Sequence, residues 1–216
     1  MKEGISTEKL IVPKTANIYT LGQLDKNTKS IWIVFHGYGQ SAEHFLEKFR
    51  DLEDTFVIAP EANNHFYLKG TNGRIGANWM TSYERDDAIT DYVNYINLIV
   101  EKFKLGSFEN STITLFGFSQ GVATLCRWFN QSFLSVGQLI LWGSLIPDEL
   151  EESEKFNLAK VYCVFGETDE YILENQTTFN RKLSIYKQTN RTILTYKGGH
   201  IIHKSSLKEF YKDYWK

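Results

Sequence analysis

A serine stands at the centre of a G-x-S-x-G motif, GFSQG, at residues 117–121. The motif follows the apolar run TITLF and opens the segment QGVATLCRWF, so it predicts a sharp turn between a strand and a helix. Its glycines leave room for the strained backbone of such a turn, and a helix N-terminus favours developing negative charge. The pattern indicates a nucleophile at Ser119, although a serine capping an ordinary strand–helix turn would also satisfy it.

A serine hydroxyl is a weak nucleophile until a base accepts its proton, and the chain has five histidines. His200 is favoured because it follows Gly198-Gly199 and the last predicted strand, which places it on a loop. His203, three residues later, is the main alternative. The other histidines fall in a turn, on a predicted helix and in a long loop, and they are His36, His44 and His65.

The base needs a carboxylate to orient its imidazole and to stabilise the imidazolium. Asp169 follows the strand-like run KVYCVF, and its position and short side chain favour it over the neighbouring Glu167 and Glu170. The order serine, aspartate, histidine along the chain is the order found in α/β-hydrolases, and each step spans about one strand–helix unit.

An acyl-transfer site also needs N–H donors for a developing oxyanion. One donor should be the backbone amide of Gln120, the residue after the serine. The other should follow an earlier strand, and the HGYGQ turn at residues 36–40 follows the apolar run SIWIVF. We assign this second donor to the amide of Tyr38, although a plain glycine-rich turn would look the same in isolation.

The elements that must position these residues alternate along the chain. Apolar, β-branched and aromatic runs predict strands at 17–21, 30–35, 55–59, 112–116, 138–142, 160–165 and 192–196. Helical spacing of apolar residues predicts helices at 42–52, 86–103, 120–133, 173–186 and 205–215. Runs that are apolar on both faces are typical of a mostly parallel sheet, so the fold class is α/β with helices on both faces of a central sheet.

Composition limits the remaining possibilities. The chain has 216 residues, which predicts a single domain over 1–216. The net charge of −2 gives no basic excess for nucleic acid or an anionic membrane surface. No apolar run is long enough for stable membrane insertion or for a signal peptide, so we expect a soluble, cytoplasmic protein. Cys126 and Cys163 lie in apolar runs and are expected to be buried free thiols.

One segment, at residues 60–83, has no periodicity and is rich in glycine and asparagine. Its aromatic residues argue against disorder. We predict an ordered surface loop over one end of the sheet.

Six segments together resemble the phospholipase/carboxylesterase family of small α/β-hydrolases, which includes bacterial carboxylesterases and acyl-protein thioesterases. They are FHGYGQSAEHF, IAPEA, GxxWM, LFGFSQGVA, FGETDEYI and KGGHIIH, within residues 31–203. The resemblance implies an α/β-hydrolase fold without a large cap domain, with Ser119 as nucleophile, Asp169 as acid and His200 as base. It also implies oxyanion donors at Tyr38 and Gln120. The chain departs from the family at Gln40, where an aspartate is frequent.

The same resemblance implies that the loop carrying Trp79 and Met80 lines the acyl pocket. Chain position adds further substrate-binding candidates, of which the two aromatics are also expected to be partly core: Phe118, Trp142 and Ile201. No cluster has metal-ligand spacing, and no nucleotide-binding fingerprint occurs, so neither a metal nor another cofactor is predicted.

The combined reading is a serine esterase that cleaves small-molecule carboxylic esters, with short acyl chains favoured by an apolar cleft. A thioesterase, a lysophospholipase or a peptidase on the same fold is the alternative, followed by a non-catalytic binding protein. The aromatic C-terminus suits either a homo-oligomer interface or a helix packed on the sheet, and its rings are Phe210, Tyr211, Tyr214 and Trp215.

Overall fold

A computed structural model describes residues 4–186, 189 and 191–215 of the chain. Its strands are β1 (Ile18–Leu21), β2 (Ser30–Phe35), β3 (Thr55–Pro60), β4 (Asn64–Tyr67), β5 (Ile75–Asn78), β6 (Thr112–Phe118), β7 (Gln138–Trp142), β8 (Val161–Gly166) and β9 (Arg191–Tyr196). Seven of them form one sheet in the order β1-β3-β2-β6-β7-β8-β9, and β4 pairs with β5 in a separate hairpin. Residues 1–3 belong to the N-terminal segment in which the sequence predicts no signal peptide, and they lie outside the described part.

The seven-stranded sheet is parallel except at one edge. β1 runs antiparallel to β3, whereas the other five pairings are parallel. Every residue of β3, β7 and β8 is buried, as expected for strands covered on both faces. The prediction of a mostly parallel sheet is confirmed, and all seven predicted strands are present with ends shifted by at most two residues.

Helices cover both faces of the sheet. They are α1 (Ala42–Leu46), α2 (Arg85–Lys102), α3 (Gln120–Gln131), α4 (Glu154–Leu158), α5 (Glu170–Glu174), α6 (Gln176–Tyr186) and α7 (Lys204–Phe210). Alternate residues of β2 point to opposite faces: Ile31 and Ile33 pack in the core with α2 and α3, and Trp32 packs in the core with α1 and α7. None of the helices in the described residues is long and apolar enough to cross a membrane.

The helix predictions need three corrections. The helix predicted at 42–52 ends at Leu46 and continues as a single 3₁₀ turn to Phe49. The helix predicted at 173–186 is two helices, α5 and α6, which are separated by Asn175, whose φ of −115° and ψ of 27° are not helical. The short helix α4 was not predicted, because five residues are too few to show a helical period.

The C-terminal aromatics pack on the sheet. After α7 the chain makes one π-helical turn, Tyr211–Trp215. The rings of Tyr211 and Trp215 contact Trp32 of β2 edge-on, with centroids 5.9 and 6.1 Å apart. The structure therefore confirms that this segment packs on the sheet, whereas its role as a homo-oligomer interface stays a prediction.

The segment at 60–83 is more ordered than the predicted loop. It contains the β4–β5 hairpin, with Asn64 opposite Asn78 and Tyr67 opposite Ile75. The hairpin escaped detection because its four-residue strands include asparagine and glycine, which are rare in strands.

Candidate active site

Ser119 occupies a strained turn between the end of β6 and the start of α3. Its φ of 52° and ψ of −117° lie outside the regions that a serine ordinarily adopts. Glu84 and Lys104 also have positive φ, but both lie in the ordinary left-handed region. Such strain costs on the order of 1–3 kcal/mol and clusters at functional sites. The Ser119 amide donates to the Trp142 carbonyl at 2.9 Å, which ties the turn to the end of β7.

The glycine at 121 allows α3 to start directly against the neighbouring strand. A Cβ built on Gly121 would lie 2.1 Å from the carbonyl oxygen of Phe35, the last residue of β2. Any side chain at this position would push the helix away from the sheet. The glycine requirement inferred from the motif therefore has a specific cause in the backbone of β2.

His200 and Asp169 form a hydrogen-bonded pair. His200 Nδ1 lies 2.8 Å from Asp169 Oδ2. The Asp169 residue is only 1% exposed, and its second oxygen accepts from the Tyr171 amide at 3.1 Å as the N-cap of α5. The competing acids Glu167 and Glu170 are exposed. The structure thus pairs the predicted acid with the predicted base.

His200 lies close to Gly143, which directly follows the residue whose carbonyl accepts from the Ser119 amide. A Cβ on Gly143, which follows Trp142, would lie 3.0 Å from His200 Cε1. The ring of Phe118 also stacks on His200, with centroids 4.9 Å apart. Within the described residues, His200 Nε2 is buried without a partner and Ser119 Oγ makes no hydrogen bond. Unliganded sites commonly leave this contact open until substrate binds.

The alternative base, His203, has different surroundings. Its ring packs edge-on against Tyr196 at 5.7 Å, and it precedes the first residue of α7. In the part of the chain that the structure describes, no carboxylate lies within ion-pair distance of it. The geometry therefore favours His200 as the base.

The 36–40 turn lies next to Ser119. A Cβ on Gly37 would be 3.3 Å from the Cβ of Ser119. Across the described residues, the amides of Tyr38 and Gln120 have no hydrogen-bond acceptor, and Gln120 is the first residue of α3, where no intrahelical acceptor exists. Both amides are therefore available for an oxyanion. The Tyr38 side chain is 59% exposed and packs against Phe66.

Gln40 stabilises this turn in place of the aspartate frequent in the family. Its side-chain oxygen accepts from the Gly37 amide at 2.9 Å. An amide oxygen performs this bond as a carboxylate would, without adding a charge. The departure from the family pattern therefore preserves the turn.

His36 holds the turn from below as a neutral imidazole. Its Nε2 accepts from the Ala62 amide at 3.1 Å, so the proton resides on Nδ1, which donates to the Gly37 carbonyl at 2.8 Å. Burial lowers the pKa of His36 to about 4, against opposing contributions from the Gly37 carbonyl and the Glu61 carboxylate.

The predicted substrate-binding residues divide into two groups. Trp79 and Trp142 are 2% and 0% exposed, so the structure places them in the core, where their rings complete the packing of strand ends. Phe118 is also buried, but it contacts His200. Met80 is half-buried, and Ile201 is 47% exposed beside His200. The sequence alone does not show whether a tryptophan at the end of a strand faces the core or a cleft.

A cavity of about 450 Å³ was not predicted, and neither Ser119 nor His200 is among its wall residues. It opens between α3 and the α5–α6 pair, and its wall residue Tyr171 contacts the His200 ring, with centroids 4.5 Å apart. Two buried cations line it, and each has an acidic partner: Arg127 bonds to Glu149, and Lys182 pairs with Asp148. The sequence could not show this lining, because residues of five segments meet there.

The described residues contain no group of three or more His, Cys, Asp or Glu side chains that could hold a metal ion. The two cysteines are buried free thiols, as predicted.

The strand order of the sheet, the strained turn at Ser119 and the hydrogen bond between His200 and Asp169 are together typical of an α/β-hydrolase. The sequence matches the model of the phospholipase/carboxylesterase family over residues 20–213, and the chain belongs to this family of hydrolases. No curated protein matches the sequence.

Solved structures share the α/β-hydrolase fold. Esterase PE8 is similar with a TM-score of 0.65 and 18% identity, over 93% of this chain and 99% of that one. An acyl-protein thioesterase 2 from Zea mays is similar with a TM-score of 0.67 and 14% identity, over 92% and 97%. A phospholipase/carboxylesterase from Dyadobacter fermentans DSM 18053 is similar with a TM-score of 0.64 and 19% identity, over 95% and 99%.

The low pKa of His36 makes stability depend on pH. The unfolded chain binds a proton near pH 6.5, whereas folded His36 stays neutral down to about pH 4. The contribution of neutral His36 to the free energy of unfolding should therefore be fully present above pH 6.5. It should be lost as the pH drops towards 4, with a slope approaching about 1.4 kcal/mol per pH unit. Urea unfolding from pH 7.5 to 5 measures this slope.

His36→Asn should lower stability at pH 7.5 and flatten the slope between pH 6.5 and 5. The matched control is His44→Asn, at an exposed position on α1. An unchanged slope in His36→Asn would contradict the assignment of a buried neutral imidazole.

Proposed function

We propose that this protein is a serine hydrolase that cleaves carboxylic esters through an acyl-enzyme intermediate. The observation that carries the proposal is the 2.8 Å hydrogen bond between His200 and buried Asp169, at the sheet edge where Ser119 sits on its strained turn. An imidazole oriented by a buried carboxylate beside a raised serine is the arrangement that acyl transfer requires.

In acylation, His200 Nε2 removes the proton from Ser119 Oγ while Oγ attacks the ester carbonyl carbon. The Nδ1 proton remains with His200 because Asp169 accepts its hydrogen bond, and the carboxylate stabilises the imidazolium that forms. The carbonyl oxygen gains the negative charge and accepts hydrogen bonds from the amides of Tyr38 and Gln120. The N-terminus of α3 adds a favourable electrostatic field.

The tetrahedral intermediate then collapses. The bond to the leaving alkoxide breaks, and the His200 imidazolium supplies its proton, so an alcohol departs and an acyl ester remains on Ser119. In deacylation His200 takes a proton from water, the resulting hydroxide attacks the acyl carbon, and the proton returns to Ser119 Oγ. The products are the carboxylic acid and the regenerated enzyme.

The substrate is proposed to be a small ester with a short, uncharged acyl chain. The cavity beside His200 has the size of a small-molecule site. Its cations are already paired with Glu149 and Asp148, so it offers no free positive charge to an anionic group. A long alkyl chain would press against these ion pairs and displace their water, which offsets the gain from burying methylenes.

Ser119→Ala should abolish ester hydrolysis and covalent labelling by a fluorophosphonate probe, because Oγ forms the bond in both reactions. The measurements are turnover of p-nitrophenyl butyrate and probe incorporation by mass spectrometry. The matched control is Ser205→Ala, on the exposed surface of α7. Undiminished turnover in folded Ser119→Ala would refute the nucleophile, and failure of the unaltered protein to be labelled would favour a non-catalytic binding protein.

Asp169→Asn should lower kcat by about 10³–10⁴-fold at neutral pH. The asparagine oxygen can still cap α5 at the Tyr171 amide, so the fold is preserved, while its NH₂ group faces His200 Nδ1 and favours the wrong tautomer. The control is Glu170→Gln, the exposed neighbouring acid. Loss of activity in Glu170→Gln, with retention in Asp169→Asn, would reverse the assignment.

A series of p-nitrophenyl esters from acetate to laurate, with matched thioesters, tests the substrate class. We expect kcat/KM to be highest for acetate or butyrate and to fall at least about tenfold by laurate, equivalent to about 1.4 kcal/mol of transition-state binding. A maximum at laurate would contradict a short-chain pocket. A clear preference for thioesters would move the protein to the thioesterase alternative.

A further inference from the structure

The end of β5 and the two residues that follow it contact the 36–40 turn. We refer to residues 76–80 as the 76–80 segment. Within it, the Ala77 carbonyl accepts from the Gly39 amide at 2.9 Å, and the Ala77 amide donates to the Gln40 carbonyl at 3.1 Å. Both bonds are made by the two residues that directly follow Tyr38.

The same segment holds the N-terminal side of that turn. The indole N–H of Trp79 donates to the His36 carbonyl at 2.9 Å. The Trp79 ring is buried between the rings of Phe35 and His36, with centroids 5.8 and 5.2 Å away. Tyr38 is therefore tied to the segment from both sides, and burial of Trp79 is explained by this bond.

The other proposed oxyanion donor is tied to the segment through a side chain. The side-chain oxygen of Gln120 accepts from the Trp79 amide at 3.0 Å, and its NH₂ group donates to the Met80 carbonyl at 2.8 Å. Only a carboxamide supplies both an acceptor and a donor in this geometry. Gln120, the residue after Ser119, is thus hydrogen-bonded through its side chain to the same segment that holds the 36–40 turn.

We propose that the 76–80 segment positions the oxyanion hole by setting the separation between the Tyr38 and Gln120 amides. The inference rests on the proposed function of those two amides. Gly76, Trp79 and the side chain of Gln120 act as positioning residues, because they reach the oxyanion only through the two donors. Donors must lie within hydrogen-bond distance of the oxyanion rather than of the ground-state carbonyl, so small displacements are costly.

The hairpin provides the rigidity that such a device needs. Residues 76–78 belong to β5, which pairs along its length with β4. A Cβ on Gly76 would lie 2.4 Å from the carbonyl oxygen of Gly39, so even an alanine must displace the 36–40 turn. Gly106 offers a matched comparison, because a Cβ there meets nothing within 4 Å and neither glycine has a positive φ.

The test uses two variants that leave both donor amides in place. Gln120→Ala removes only the two side-chain hydrogen bonds to Trp79 and Met80, and Gly76→Ala displaces the 36–40 turn. Each should lower kcat about 10–100-fold, less than the loss of an entire donor, with KM changed by no more than about threefold. The controls are Gln131→Ala, in the last turn of α3, and Gly106→Ala, and both should keep the activity of the unaltered protein.

A transition-state analogue separates positioning from a merely structural role. A trifluoromethyl ketone forms a tetrahedral adduct whose oxygen occupies the oxyanion hole. Its Ki should rise in each variant by the same factor as kcat/KM falls. A lowered melting temperature with unchanged kcat and Ki would overturn the proposal, and so would a rise in KM alone.

The double variant Gln120→Ala/Gly76→Ala supplies a second criterion. Because both changes act through one segment, their effects on kcat/KM should be less than additive, whereas independent sites would multiply their factors. If Gly76→Ala does not fold, Gln120→Ala with the ketone still decides the matter. Retained turnover in Ser119→Ala would refute the proposed function, whereas Ser119-dependent turnover with fully active Gln120→Ala would refute only the positioning role.

Discussion

The passage of α3 across the end of β2 is the constraint on which the site depends. The helix starts so close to the Phe35 carbonyl that only glycine fits at position 121, and Ser119, two residues earlier, has an unusual backbone conformation. The Ser119 amide is bonded to the end of β7, every residue of which is buried, and this bond helps to hold the strained turn. A more loosely packed sheet would let the turn relax and lower the serine towards the backbone.

Two polar groups of the site, Asp169 and His36, are buried, and both are held by hydrogen bonds to backbone groups. Asp169 caps a helix while it binds His200, and His36 bridges two backbone groups as a neutral ring. Buried groups held in this way do not reorganise when charge develops, which is the condition for electrostatic catalysis. The bonds that stabilise these loops therefore also fix the orientation of the Asp169 and His36 side chains.

The β4–β5 hairpin extends this arrangement beyond the strand ends. Its backbone holds the 36–40 turn, and Trp79 is buried as a structural anchor rather than exposed as a wall of the cleft. The cavity lined by Arg127 and Lys182 is a separate space, with neither Trp79 nor Ser119 among its wall residues. The two cations that line it are each paired with a carboxylate.

Local patterns were sufficient for much of this protein. Apolar runs located the seven sheet strands, because buried parallel strands are apolar on both faces. The glycine spacing around Ser119, and the positions of Asp169 and His200 after successive strands, placed the candidate triad at one sheet edge, because parallel strands present their carboxyl ends together. Tertiary structure alone decided which strand-end tryptophans are core, that Gln120 clasps residues 79 and 80, and that Arg127 and Lys182 line a cavity. These features depend on contacts between residues that are distant in the sequence. Such contacts, and the directions of the side chains that make them, produce no periodic pattern of apolar residues along the chain.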